Sequence, residues 1–243
     1  MDNPEISFAI PCYNESDNLA PLLNALEEAA GGLGKTFEIV ITDDCSTDGS
    51  WERLKALLAE HPRLRIQRLA RNSGQSAAVF SAMKSARGSV IVTLDADLQN
   101  DPRDLPKFFE ALANADCVCG SRTASRKHSD HWLKHLTSRA ANWVRARVLH
   151  DRFTDAGCAF RVLRRECIDD IPFFKGVHRF LPILIDLRGY RVTEVPVTNQ
   201  PRRSGQSHYG IFDRSGAVID MLAVRWMKTR MVGYQVAERH PLE

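Results

Sequence analysis

Four β-prone runs in the first hundred residues are each followed by a segment with helical periodicity, and this alternation constrains the chain more than any other feature. The runs are "ISFAI" at 6–10, "TFEIVITD" at 36–43, "RLRIQRLA" at 63–70 and "SVIVTLDAD" at 89–97. A strand that is apolar at consecutive positions is buried on both faces. A strand–helix–strand connection lays the next strand parallel to the first. The intervening helices are predicted over 16–30, with Ser16 or Asp17 as N-cap, over 48–61, stopping before Pro62, and over 74–88, closed by Gly88. A helix over 102–114, with Pro102 near its first turn, leads to a fifth strand, "ADCVCGSR" at 115–122. The expectation is an α/β fold, a mainly parallel sheet with helices on both faces.

The second half is less regular. A basic, Trp-containing helix is predicted over 128–150, a strand over 158–164, a helix over 178–189 and a strand over 190–197. A basic loop over 198–210 leads to a final helix over 217–232. No repeat, low-complexity tract or linker divides the chain, so 1–243 reads as a single domain. Charge divides it instead. Residues 1–110 carry 11 Lys/Arg against 17 Asp/Glu, and residues 111–243 carry 22 against 13. A basic second half suits an anionic ligand or surface.

In parallel sheets ligands favour the carboxyl ends of the strands. Here those ends carry "PCYNE", "TDDCSTDGS", "DAD" and "GSR". There is no GxGxxG after the first strand and no GxxxxGK[ST], which argues against dinucleotide and P-loop sites. Asp95 and Asp97 stand one residue apart at the end of a buried strand, an arrangement that calls for a positive partner. The six cysteines form no CxxC pair and most sit among apolar residues, as reduced thiols do.

Taken together, "PCYNE" at 11–15, "DDCSTDGS" at 43–50, "RNSGQSAA" at 71–78, "DADLQNDP" at 95–102 and "GSR" at 120–122 resemble the family 2 glycosyltransferases of GT-A fold. "DAGCAFRVLR" at 155–164, "HRFLP" at 178–182, "EVPV" at 194–197 and "RRSGQSHYG" at 202–210 narrow the resemblance to the polyprenyl-phosphate sugar transferases, the branch containing dolichol-phosphate mannosyltransferase. It covers nearly the whole chain. It implies an inverting transfer of a hexose from a nucleotide-diphosphate sugar, of the GDP-mannose or UDP-glucose type, to a polyprenyl or dolichyl phosphate. It also implies Mg²⁺ or Mn²⁺, with residues 1–120 as the nucleotide-sugar half and 121–243 as the acceptor half.

The resemblance assigns residues as follows. Asp95, Asp97 and Gln99 would hold the metal, where a cation stabilises the leaving diphosphate; N-capping acids are the plain alternative. Pro11, Tyr13, Glu15, Asp43, Asp44, Asn72, Gly74, Asp95 and Ala96 would line the donor nucleotide site. Turn chemistry is the alternative for the first three, and a tight turn for Gly74. Asp48-Gly49 reads as serving the turn and the helix start. Arg122, Lys134 and Ser138 would bind the acceptor phosphate, Lys134 standing where the family often has Arg. Arg202, Arg203, Ser207 and His208 would form a loop over the diphosphate, His208 standing where the family typically has Lys; a solvated basic loop is the alternative. Asp155, with Asp97 and Arg122, is a candidate catalytic residue. A phosphate monoester is largely dianionic at neutral pH, its second pKa being about 6, so Asp155 is read as positioning more than as a base.

The N-terminus, "MDNPEISFAI", lacks a basic stretch followed by an apolar core, and no apolar run approaches the ~18 residues of a membrane span. The expectation is a cytoplasmic chain, peripheral on the inner face of the membrane. The last helix is read as amphipathic, with Arg225, Trp226, Lys228 and Arg230 suited to a membrane interface; core packing or a homo-oligomer contact is the alternative. Two rival functions stand beside transfer to a lipid phosphate. One is transfer to a saccharide hydroxyl, and the other is non-catalytic binding of a nucleotide or lipid phosphate. No aromatic pattern supports nucleic-acid binding.

Overall fold

Residues Ile6, Phe8 and Ile10 of the first strand point into one apolar cluster while Ala9 points into another, so the strand is buried on both sides. The computed structural model describes residues 3–123, 143–200 and 211–230. Seven strands form one sheet: β1 (Ile6–Cys12), β2 (Phe37–Asp43), β3 (Leu64–Arg68), β4 (Val90–Thr93), β5 (Cys117–Ser121), β6 (Arg161–Arg164) and β7 (Val192–Pro196). Their order is β3-β2-β1-β4-β6-β5-β7. All pairings are parallel except those of β6, which runs antiparallel to β4 and β5.

Helices cover both faces. On one side α1 (Leu19–Gly32), α2 (Ser50–Leu57) and α4 (Leu105–Leu112) pack Leu22, Leu26, Leu54, Phe108 and their neighbours against Phe8 and Ile41. On the other, α3 (Gln75–Ser85), α5 (143–149), α6 (Leu181–Leu187) and α7 (Ile211–Arg230) contribute Met83, Leu149, Leu184 and Val224 against Val40, Ile91 and Cys119. Lys228 of α7 donates to the carbonyls of Leu149 and His150, meeting the last carbonyls of α5 with a cation. Among the described residues no helix is long and apolar enough to cross a membrane.

Three local expectations change. Neither Ser16 nor Asp17 caps a helix: Ser16–Asn18 is a 3₁₀ turn and α1 starts at Leu19. The fourth strand leaves the sheet after Thr93, four residues early, because its partner β6 begins opposite it at Arg161. Gly88 caps nothing, since α3 ends at Ala86 in extended backbone. It is a close approach instead. A Cβ there would stand 2.8 Å from Ile6 C, Ser7 N and Ser7 Oγ. Its N–H donates to Ser7 Oγ at 2.7 Å, and that hydroxyl donates to buried Glu38 at 2.7 Å. Gly88→Ala must push backbone against backbone, and should cost about 1–3 kcal/mol, read as a shifted denaturant midpoint. A midpoint equal to wild type would mean that the β1 edge yields freely. Asp48 and Gly49 do serve the start of α2, Gly49 with φ of 90° and Asp48 accepting from the Ser50 N–H.

Candidate active site

The carboxyl ends of β1, β2, β4 and β5 open on one edge of the sheet, and antiparallel β6 brings its first residue, Arg161, to the same edge. A cleft of about 750 Å³ lies there. From the end of β1 and the turn after it come Pro11, Tyr13 and Glu15; after β4 come Asp95, Ala96, Asp97 and Gln99; Arg122 follows β5. Asp44, Asn72 and Gly74 line it from the β2 and β3 side.

Asp44 builds this side of the wall. Its carboxylate accepts the N–H of Ser73 at 2.7 Å and of Gly74 at 2.8 Å, and its carbonyl accepts from Asn72. Burial pushes the Asp44 carboxyl up, against the pull of those two N–H groups. Gly74 holds φ 87° and ψ 162°, a region essentially reserved for glycine, so its requirement is conformational. Asp43, by contrast, is fully buried, pairs with Arg68 at 3.0 Å and accepts the Ser46 N–H; it does not line the cleft.

Asp95 is pushed up to about 6, first by burial and then by Asp97, against the opposing charges of Arg122 and Arg161 and a hydrogen bond from Gln75 at 2.6 Å. The charges of these two arginines oppose that rise without cancelling it. Asp97 accepts the Gln99 N–H at 3.1 Å, and Leu98 between them takes φ of 59°. A left-handed leucine costs about 1–2 kcal/mol. The turn is pinned from outside by Gln200 N–H on the Gln99 carbonyl. Among the described residues no third carboxylate, histidine or thiol joins Asp95 and Asp97 in a metal-sized cluster.

On the acceptor side, Arg122 grips Asp155 twice, Nε to Oδ2 at 2.7 Å and a terminal nitrogen to Oδ1 at 3.0 Å, and its backbone N–H donates to the same carboxylate at 3.1 Å. Burial would lower the guanidinium pKa, but the Asp155 hydrogen bond and charge outweigh it and hold it above its usual value. Asp155 is buried beneath Arg122 and outside the cleft lining, itself set by its N–H on Glu194.

The profile of glycosyl transferase family 2 matches residues 7–171. The chain belongs to glycosyl transferase family 2. Over 219 residues it is 34% identical to an undecaprenyl-phosphate 4-deoxy-4-formamido-L-arabinose transferase of Edwardsiella ictaluri, covering 89% of this chain and 66% of the relative. Over 225 residues it is 31% identical to a dodecaprenyl-phosphate galacturonate synthase of Rhizobium johnstonii, covering 90% and 66%. The chain spans about two thirds of the length of these curated relatives. Among solved structures it is similar to a mannosyltransferase of Pyrobaculum calidifontis in complex with GDP-Man and Mn²⁺, at 20% identity and TM-score 0.65, covering 96% of this chain and 66% of the other. A mannosyl-3-phosphoglycerate synthase of Rubrobacter xylanophilus gives 17% and 0.67, covering 98% and 79%. At these identities the two structures show that the fold is shared.

In this family 2 chain the cleft thus gathers most of the residues expected from sequence. Asp43 and Asp155 stand behind its wall. Lys134, Ser138, Arg202, Arg203, Ser207 and His208 lie outside the described residues. Sequence reasoning missed Arg161, Gln75, Ser76, Lys175, His178, Arg179 and Asp220, all of which line the cleft. Arg161 carried a signal: of the two arginines in "CAFRVLR" it is the one flanked by apolar residues on both sides, and a buried cation needs an anion.

Proposed function

We propose that this chain transfers a sugar, with inversion, from a nucleoside-diphosphate donor to a polyprenyl monophosphate. The observation that carries the reading is the meeting of an acid pair, Asp95 and Asp97, with Arg122 and Arg161 in one cleft. Both names among the curated relatives quoted above are those of polyprenyl-phosphate sugar enzymes.

Asp95, Asp97 and the Gln99 side-chain oxygen are hard oxygen donors on one wall, a set that suits Mg²⁺ or Mn²⁺. Bound there, the ion would supply positive charge against the leaving diphosphate. Pro11, Tyr13 and the Asp44-braced loop 71–74 face the nucleotide in this reading. Arg122, aimed by Asp155, orients the acceptor phosphate. A dianionic phosphate needs orientation more than deprotonation. That favours it over a saccharide hydroxyl, because Asp155 is engaged by Arg122 through both oxygens and so is poorly placed to act as a base.

A lipid acceptor also calls for a membrane face. Helix α7 packs Met221 and Val224 inward and turns Val218, Ile219, Leu222 and Trp226 outward, each more than half exposed. With Arg225, Lys228 and Arg230 on the same helix, this face suits the interface of an anionic bilayer. The test of function is incubation of the purified chain with Mn²⁺, a panel of UDP- and GDP-sugars, and either undecaprenyl phosphate or saccharide acceptors. Sugar appearing on the lipid phosphate is the expected result. Transfer only to saccharide hydroxyls, or no transfer together with no nucleotide-induced rise in Tm, would overturn it.

A further inference from the structure

We propose that Gln200 is a positioning residue for the candidate metal site, bracing the turn of Asp97 and Gln99 from behind so that their side-chain oxygens stay on the cleft wall. The inference rests on the sugar-transfer reading above and adds to it a residue outside the cleft.

The turn after β4 needs bracing. Leu98 takes φ of 59°, and a residue with a Cβ persists in that region only where its surroundings over-determine it. Packing against the apolar cluster holds the Leu98 side chain. Inside the turn, Asp97 accepts the Gln99 N–H at 3.1 Å. That bond uses the same carboxylate that would meet a cation.

The remaining support comes from residues 198–200, where the chain runs on from β7. Thr198 N–H donates to Asp104 Oδ2 at 2.7 Å, Asn199 pairs with Asn100 in an antiparallel bridge, and Gln200 N–H donates to the Gln99 carbonyl at 2.8 Å. The Gln200 amide then donates to Asp101 Oδ2 at 3.1 Å. Gln99 is thereby held at both backbone groups, its N–H by Asp97 and its carbonyl by Gln200. Peptide units are planar, so fixing the one on each side fixes the Cα–Cβ direction between them. The Gln99 side chain is directed to the cleft that it lines. The contacts from 198–200 take up no side-chain oxygen of Asp95, Asp97 or Gln99, and none of those three residues lines the cleft. Gln200 therefore acts through the turn and not on the ion.

This three-residue strap is itself well rooted. Val197 is buried, its N–H donates to the Ser121 carbonyl at 3.1 Å, and a Cβ on Gly120 would stand 2.9 Å from its Cγ1. Ser121 ends β5, and Arg122 follows it. The strap ties the acid turn to the strand end that carries Arg122, which holds the two walls of the cleft at one spacing.

The experiment compares wild type with Gln200→Met, which keeps volume and charge but loses the amide, and Gln200→Pro, which also loses the N–H. Affinity for Mn²⁺, alone and with UDP or GDP, is measured by calorimetry, metal-free Tm by thermal unfolding, and turnover across a range of Mn²⁺ concentrations. The expected result is about fivefold weaker Mn²⁺ binding in Gln200→Met, the effect of one hydrogen bond, and a larger loss in Gln200→Pro. Metal-free Tm should change little in Gln200→Met, because release of the strained Leu98 backbone offsets the lost bond. Turnover should recover at saturating Mn²⁺, which a general packing defect would not allow. Mn²⁺ affinity equal to wild type in Gln200→Met would overturn the assignment, whether or not Gln200→Pro folds, and so would a turnover defect that Mn²⁺ does not relieve. A wild-type chain that binds neither Mn²⁺ nor nucleoside diphosphate would overturn the transferase reading and this inference with it, whereas normal wild-type binding with no Gln200 effect overturns this inference alone.

Discussion

Asp97→Asn is expected to give a folded protein whose turnover is lower by a factor on the order of 10²–10³, the size of effect seen when a group that stabilises developing charge is removed. Asp97 is 6% exposed and its carboxylate does local work, accepting the Gln99 N–H. Asparagine keeps an oxygen for that bond and nearly the same volume, so the strained turn at Leu98 survives. What goes is one of two like charges. Its loss also removes a cause of the raised Asp95 pKa, which favours rather than harms the metal-free fold. The variant should therefore match or exceed wild type in Tm without metal, and lose the additional Tm rise that Mn²⁺ gives with nucleotide. Unchanged initial rates for the purified variant would sink the role of the acid pair. A markedly lower metal-free Tm would mean that Asp97 serves the turn and little else.

How much of this was legible depends on whether a feature is local. The largely apolar runs of β1, β2 and β4 bury both faces, and such runs read directly as strands of a parallel sheet. The strand ends were legible for the same reason, since parallel strands deliver their carboxyl ends to one edge. The direction of β6 was not. "CAFRVLR" has the composition of a strand in either orientation, and only pairing with β4 and β5 fixes it. That reversal is what carries Arg161 to the cleft. Gly88 misled because a glycine after a helix has two uses, a left-handed cap or room for a neighbouring strand, and the choice rests on Ile6 and Ser7, some eighty residues away. His178 sits in a 3₁₀ turn just before α6, and nothing in "HRFLP" announces that Ser76, a hundred residues earlier, would hold its ring.

Breaking the Arg122–Asp155 pair should have the largest effect on stability. Asp155 is 3% exposed and its two oxygens take three donors from Arg122. Around it, Glu194 accepts the N–H groups of Thr154 and Asp155, and the Cys158 N–H closes on the Asp155 carbonyl. Asp155→Ala leaves a mostly buried guanidinium without its counter-ion in a turn that stays otherwise intact, at about 3–5 kcal/mol. For a chain of this size that is a fall in Tm of roughly 6–20 °C. Asp155→Asn, which keeps shape and one acceptor, should lose less. Replacing both partners with apolar residues of similar volume, Arg122→Met with Asp155→Leu, removes the orphaned charge and should recover much of the lost stability. It should not recover activity, because the cation that orients the acceptor phosphate is gone, and the KM for the polyprenyl phosphate should rise far more than the KM for the donor. Thermal unfolding and two-substrate kinetics on the same four proteins separate the effects. If Asp155→Ala melts with wild type, the pair does not brace the turn. If the double variant turns over normally, Arg122 does not hold the acceptor, and that role passes to the other cations of the wall, Arg161, Lys175 and Arg179.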